Sequence, residues 1–247
     1  MIKRANIEDY NRVIGCLNHE GSMNTTLIAN IEKYGFEKDF QDIWLCTSNN
    51  EEPKVVVMRH FNILYIYSEG SFLDVDELAS FVSFVGSDII VGKLDIISDL
   101  SIYSNAMFIE PSVHMYLEDN SKLISCSRVK KAEIEDCKEM AQLVFSIPEF
   151  ARFYNSSEEI ERGIKRRIEM GICRYSVLKM DGKIISQAYT TIESSQYATM
   201  GGVITREEYR KQGLASLVVS CICEDILKDN KVPNLFYSNQ EAGRVYG

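Results

Sequence analysis

The chain's apolar patterning predicts a mixed α/β protein, an α+β arrangement on mixed sheets, in two consecutive parts. Three observations carry this expectation. Helix-spaced apolar stretches are interleaved along the whole chain with short runs rich in Val, Ile and aromatic residues. The second half orders its elements β-α-α-β-β-β-α-β-α. A short polar segment, Glu118-Asp119-Asn120-Ser121-Lys122, stands between the halves. It lacks the Pro, Gly or Ser enrichment of a long linker, so the expected units, 1–120 and 121–247, pack together.

In the first half, Asp9–His19 and Met23–Tyr34 carry apolar residues at mixed three- and four-residue spacing and read as helices separated by Gly21-Ser22. Asp42–Thr47, Lys54–Arg59 and Ile63–Tyr67 read as strands. Asp74–Phe84 reads as a helix with Asp74 as its N-cap. Ile89–Val91 is a short strand ending at Gly92, Asp95–Tyr103 a short helix, and Val113–Leu117 the last strand of this half.

The second half is more clearly punctuated. Leu123–Val129 reads as a strand and Ala132–Phe145 as a helix, interrupted near Pro148. Ser156-Ser157-Glu158-Glu159 opens a helix in capping-box fashion, and Gly171 closes it after Met170. Arg174–Lys179 and Lys183–Ile192 are strands joined by Asp181-Gly182, a two-residue hairpin turn. Tyr197–Ile204 is a third strand, Ser216–Asp229 a long helix, Leu235–Tyr237 a strand, and Asn239 begins a final helix.

Composition narrows the function classes. Hydrophobic residues make up 45% and charged residues 26% of the 247, ordinary for a globular protein with a sizeable core. With 27 Lys+Arg against 36 Asp+Glu, the net charge of −9 gives no support to a nucleic-acid or anionic-membrane partner. It is compatible with a cationic substrate. The seven cysteines are irregularly spaced, form no CxxC pair and sit in no Cys/His cluster; they read as reduced, small hydrophobes with no metal site. The polar N-terminus and the lack of any run of roughly 20 apolar residues point to the cytoplasm. His19, His60 and His114 are isolated and read as structural.

The informative stretch runs Val203-Ile204-Thr205-Arg206-Glu207-Glu208-Tyr209-Arg210-Lys211-Gln212-Gly213-Leu214-Ala215-Ser216. It lies between an apolar strand and a long helix. A pyrophosphate needs several converging main-chain N–H donors and the positive end of a helix dipole. The turn from Arg210 to Ala215 can supply both. Gly213 lets the main chain approach the phosphates, Ala215 is small for the same reason, and Arg210 and Lys211 add positive charge. Taken alone, Gly213 would equally suit an ordinary strand-to-helix turn, and Arg210-Lys211 a solvated basic pair.

In context this stretch resembles the coenzyme motif of the GNAT N-acetyltransferase superfamily: Val-x-Thr, four residues, then Arg/Gln-x-x-Gly-x-Gly/Ala. Val203, Thr205, Arg210, Gly213 and Ala215 match it position by position. Asn239, Ala242 and Tyr246 match the family's later Asn-x-x-Ala-x-x-x-Tyr. The resemblance covers the chain from about Leu123 onward. The first half resembles a bacterial layout in which a degenerate acetyltransferase-like domain precedes the working one; it holds no second phosphate motif, so no coenzyme is assigned to it.

The resemblance implies acetyl-CoA as cosubstrate and direct attack on its thioester by a neutral primary amine. It implies pantetheine contacts at Gly202, Val203, Ile204 and Thr205, and pyrophosphate contacts from Arg210, Lys211, Gln212, Gly213, Leu214, Ala215 and Ser216. Asn239 and Ala242 would flank the arm, and Tyr246 would protonate the leaving thiolate. Where some relatives carry a Glu base, this strand offers Tyr197 and Thr199; Glu193, Glu149 or an ordered water path is left as the proton acceptor. Asn239 alone would also read as an N-cap, and Tyr246 as a core tyrosine. The family usually continues past the final Tyr with further strands, which are expected to be missing here. A non-catalytic acyl-CoA-binding module and a transferase for a longer acyl-CoA both stay open. So do the acceptor, a small molecule or a protein amine, and the oligomeric state.

Overall fold

The computed structural model describes residues 2–47, 52–70, 74–103 and 108–246. The chain divides into two compact units, Met1–Pro111 and Ser112–Gly247.

The first unit holds a sheet ordered β1 (Ile2–Arg4), β2 (Gln41–Cys46), β3 (Val55–His60), β4 (Ile63–Ser68) and β5 (Ile89–Gly92). Only the β4–β5 pair is parallel; the rest are antiparallel. Helices α1 (Tyr10–Asn18) and α2 (Thr25–Tyr34) precede β2, and α3 (Val75–Val85) and α4 (Leu94–Ser101) flank β5. Asp74 caps α3 by accepting from the Glu77 amide at 3.0 Å. Val55, Val57, Leu64 and Ile66 of the sheet bury against Leu78, Ala79, Ile96 and Leu100 of α3 and α4. The β1 strand was not foreseen: three residues, two of them Lys3 and Arg4, carry no apolar alternation.

The second unit is a sheet with helices on both faces, ordered β6 (Val113–Tyr116), β11 (Val232–Tyr237), β10 (Tyr197–Thr205), β9 (Lys183–Glu193), β8 (Tyr175–Met180) and β7 (Val129–Lys131). The β10–β11 pair is parallel, and the others are antiparallel. On one face α8 (Leu214–Lys228) buries Val218, Ile222, Cys223 and Ile226 against Leu178, Ile185, Ala198, Met200 and Leu235. On the other, α5 (Cys137–Phe145) and α7 (Ser157–Glu169) bury Met140, Leu143, Ile160 and Ile164 against Val177, Ile184 and Ile204. Two layers of helix over one sheet use both apolar faces of the strands. The short α6 (Pro148–Ala151) lies between α5 and α7, and α9 (Gln240–Tyr246) closes the described chain.

Two sequence expectations change here. Val113–Tyr116, read with the first half, pairs with β11 in the second sheet, Asn234 opposite Tyr116. Leu123–Val129 is not a strand. Its amides make turns, Leu123 to Asn120 O at 3.2 Å and Val129 to Cys126 O at 3.2 Å, and the strand starts at Val129. Ser121, Ser125 and Ser127 favour such local turns over a ladder.

Candidate active site

The β10–β11 ladder is short. Tyr197, Ala198, Thr199 and Met200 lie opposite Val232, Pro233, Asn234 and Leu235, and there the pairing stops. Beyond it β10 runs on to Thr205 beside β9 alone, while Phe236 and Tyr237 pair with β6. The two parallel strands therefore part after Met200. The cause is local. The β9–β10 register breaks between Gly201 and Ile204, and Gly202 has φ 54, a left-handed conformation that glycine tolerates and a bulge uses. A Cβ at Gly202 would stand 1.8 Å from Tyr189 Cε1, so the ring of Tyr189 lies against the Gly202 main chain. Val203 and Ile204 turn to opposite faces, Val203 toward the α8 core and Ile204, 4% exposed, toward the α5–α7 core. Thr205 Oγ1 shares a 2.9 Å hydrogen bond with Ser186 Oγ.

After β10 the chain makes one 3₁₀ turn, Glu207–Tyr209, and then the loop that leads into α8. Lys211 and Gly213 both have positive φ, 62 and 73. Left-handed residues placed among right-handed ones turn successive amides toward a common side, the geometry of an anion nest. The first α8 amide with a main-chain acceptor is Leu217, to Gly213 O at 3.3 Å. The amides of Lys211, Gln212, Gly213, Leu214, Ala215 and Ser216 have no acceptor among the described residues. Lys211, Gln212 and Gly213 are exposed, and the next three are partly so. Six unspent donors, at the positive end of a 15-residue helix, face solvent. Gly213 has open space on its Cβ side, and its left-handed φ is one that glycine adopts without strain. Arg210 folds back, its Nε donating to Thr205 O at 3.3 Å.

Asn239 caps α9, its Oδ1 accepting from the Glu241 amide at 2.8 Å and its carbonyl from Ala242 at 3.1 Å. Ala242 and Tyr246 follow on the same short helix. The Tyr246 ring meets Tyr237, just past the point where the strands part, with centroids 5.8 Å apart. Burial pushes its hydroxyl up to about 12, which keeps the proton on it at neutral pH. The motif residues at Gly202–Thr205 and at Asn239–Tyr246 thus flank the parted strands from either side, with the amide-rich loop following β10.

The two carboxylates fare differently. Glu193 lies at the paired end of the ladder, opposite Ala198. Arg174 donates to both of its oxygens, from Nε at 2.9 Å and from its terminal nitrogen at 3.0 Å. Lys231 Nζ and Thr190 Oγ1 donate at 2.9 Å each. Burial there opposes ionisation, but these donors outweigh it and hold the carboxyl at about 2. A carboxylate so held is a poor acceptor for an ammonium proton. Glu149 lies in α6, and its side chain is outside the described residues. Among the described residues no cluster of three His, Cys, Asp or Glu could hold a metal, and no helix is long and apolar enough to cross a membrane. Sequence reading also missed Tyr189, whose only signal was an aromatic in a strand.

Residues 177–247 match the FR47-like protein family. No curated protein matches the chain. Among solved structures, an acetyltransferase of the GNAT family from Colwellia psychrerythraea is similar over 99% of this chain and 92% of its own, with 15% identity and a TM-score of 0.55. A tandem GNAT protein from the clavulanic acid biosynthesis pathway is similar over 100% and 93%, with 10% identity and a TM-score of 0.52. A putative GNAT acetyltransferase from Novosphingobium aromaticivorans shares 22% identity at a TM-score of 0.46; the chain spans 58% of its length. The second unit thus carries an FR47-like segment, and the chain as a whole has the fold of the GNAT acetyltransferases, in the two-unit form seen in the tandem protein.

Proposed function

We propose that the second unit binds acetyl-CoA and transfers its acetyl group to a primary amine. One observation carries the reading: the six unspent amides from Lys211 to Ser216 stand at the mouth of α8, directly after the strand that parts from β11. A diphosphate supplies the acceptors that such a nest lacks. Lys211 adds charge, and Arg210 lies beside it. The gap beyond Met200 leaves main-chain groups of Gly201–Thr205 available to a pantetheine arm. An amide of the same stretch suits the thioester carbonyl as charge develops on it. Tyr246, protonated at neutral pH, is the donor for the leaving thiolate. The amine must shed a proton, and with Glu193 engaged a water path is the acceptor consistent with the described residues.

Calorimetry with acetyl-CoA tests the reading: micromolar to sub-millimolar binding is expected, and no binding at millimolar coenzyme defeats it. Gly213→Asp is expected to abolish binding, because a carboxylate would join the nest meant for phosphate. The engaged Glu193 also favours a second reading, a coenzyme-binding module without turnover. Thiol release across a broad amine panel separates the two.

A further inference from the structure

Gly201 and Gly202 stand on β10 just past Met200, where the pairing with β11 stops. Two side chains of the neighbouring strand, β9, occupy the space that side chains at these glycines would take. A Cβ at Gly201 would lie 2.7 Å from the Thr191 methyl, and one at Gly202 would overlap Cε1, Cζ and Cδ1 of Tyr189. Three atoms of the Tyr189 ring thus cover the Gly202 main chain. The opening between β10 and β11 therefore has a wall along its β9 side, built from one ring and one methyl.

That wall is held from behind. Tyr189 is partly exposed and packs against the core that contains Val177, Ile184 and Ile204. Tyr175, its partner across the β8–β9 ladder, lies with its ring centroid 5.2 Å away at an interplanar angle of 31° and is 4% exposed. A ring set between a buried neighbour and a main chain moves aside only by disturbing close packing. Thr191 is tied as well, its Oγ1 donating to Thr199 O at 3.2 Å. The side of the sheet matters too. The α8 helix, with its unspent amides, covers one face, whereas Tyr189 belongs to the core on the other. A pantetheine arm that starts from a diphosphate at the mouth of α8 and passes between β10 and β11 brings its thioester out on the α5–α7 face, beside Gly202. The acyl chain then meets the Tyr189 ring.

We propose that Tyr189, with the Thr191 methyl beside it, sets the size of the acyl donor and restricts it to the two-carbon acetyl group. This deepens the acyl-transfer reading and rests on it. The acetyl methyl ends against the ring, and every further methylene needs space that the ring already fills. A single methylene in an apolar pocket changes kcat/KM by about 10- to 200-fold. The ring acts by its bulk, so its hydroxyl is dispensable and no proton passes through it.

The test uses the full chain with acetyl-, propionyl- and butyryl-CoA as donors and free CoA as reference. Thiol release is followed with the broad panel of primary amines, and binding by calorimetry; where no amine turns over, the same ratios are read from dissociation constants. In the wild type, butyryl-CoA should fall at least tenfold below acetyl-CoA. Tyr189→Ala should raise the butyryl-to-acetyl ratio at least tenfold, and Tyr189→Leu, the milder variant, carries the test should Tyr189→Ala fail to fold. Tyr189→Phe keeps the ring and should keep the wild-type ratio, whereas a merely structural role would lower all three donors alike. Affinity for free CoA within threefold of the wild type reports that a variant folds with its diphosphate loop intact. A wild type that takes butyryl-CoA as well as acetyl-CoA, or a ratio unmoved in the folded Tyr189→Ala or Tyr189→Leu variant, would overturn the wall and leave coenzyme binding standing. Failure of the wild type to bind either CoA or acetyl-CoA would instead remove the underlying reading, and the wall with it.

Discussion

Replacing Glu193 with glutamine separates two roles, proton acceptor and structural anchor. The carboxylate is 14% exposed and takes hydrogen bonds from Arg174, Lys231 and Thr190. Its pKa stands at about 2 against an ordinary 4.5. At roughly 1.4 kcal/mol per pH unit, that difference is worth about 3 kcal/mol of stability. A carboxyl whose folded pKa is lowered contributes fully above its unfolded value and loses the contribution as pH falls toward the folded value. Its share is therefore complete above about pH 5 and gone near pH 2. Urea unfolding should show Glu193→Gln less stable by about 3 kcal/mol at pH 7, with the gap closing as pH falls from 5 to 2. The kcat for thiol release should survive wherever the variant is folded. A variant as stable as the wild type that has lost kcat would refute the anchor and reinstate Glu193 as a base.

Gly202→Ala should lose about 1–2 kcal/mol to the left-handed backbone and about 1–3 more to overlap with Tyr189. Urea unfolding should show Gly202→Ala with Tyr189→Ala regaining the overlap relative to Tyr189→Ala alone, but not the backbone term. Tyr246→Phe should lower kcat about 100-fold and leave acetyl-CoA affinity unchanged by calorimetry. In the wild type, with that hydroxyl pushed up to about 12, the rate should show no fall from its ionisation up to pH 10.

The elements legible in the sequence were those with strong local signals. Asp74 and Ser156 both cap helices through their side chains, as their residue types implied. The Asp181-Gly182 hairpin sets β9 against β8, with Asp181 and Gly182 both at positive φ. The turn into α8 was legible because Gly213, directly ahead of the helix, takes the left-handed conformation that glycine favours. What stayed hidden depends on pairing between distant segments. Nothing local in Val113–Tyr116 says that its partner lies far along the chain in β11, Tyr116 opposite Asn234. Nothing in the spacing of Arg174, Glu193 and Lys231 says that they converge, so Glu193 looked like an available carboxylate when Arg174 and Lys231 already engage it.

The engagement of Glu193 also explains how the sheet can open. Two parallel strands that part in mid-sheet forfeit ladder bonds, and an unrestrained pair would slip or fray. Here the unopened end is pinned. Thr199 Oγ1 donates to Asn234 Oδ1 at 2.9 Å across the last pairs before the opening. Glu193 ties the end of β9 to Arg174 before β8 and to Lys231 before β11. Arg174 reaches on to Asp225 and Asp229 at the end of α8. The same helix thus has its C-terminal turn clamped to the closed end of the sheet, while its N-terminal amides stand free beyond the open end. Loosening the clamp should therefore weaken coenzyme binding through α8 without touching the nest. Asp229→Asn removes one clamp contact that is half exposed. It should raise the acetyl-CoA dissociation constant modestly, about two- to fivefold for a loss of at most about 1 kcal/mol. An affinity untouched by Asp229→Asn and by Glu193→Gln alike would show that the helix mouth is positioned by the α8 core alone.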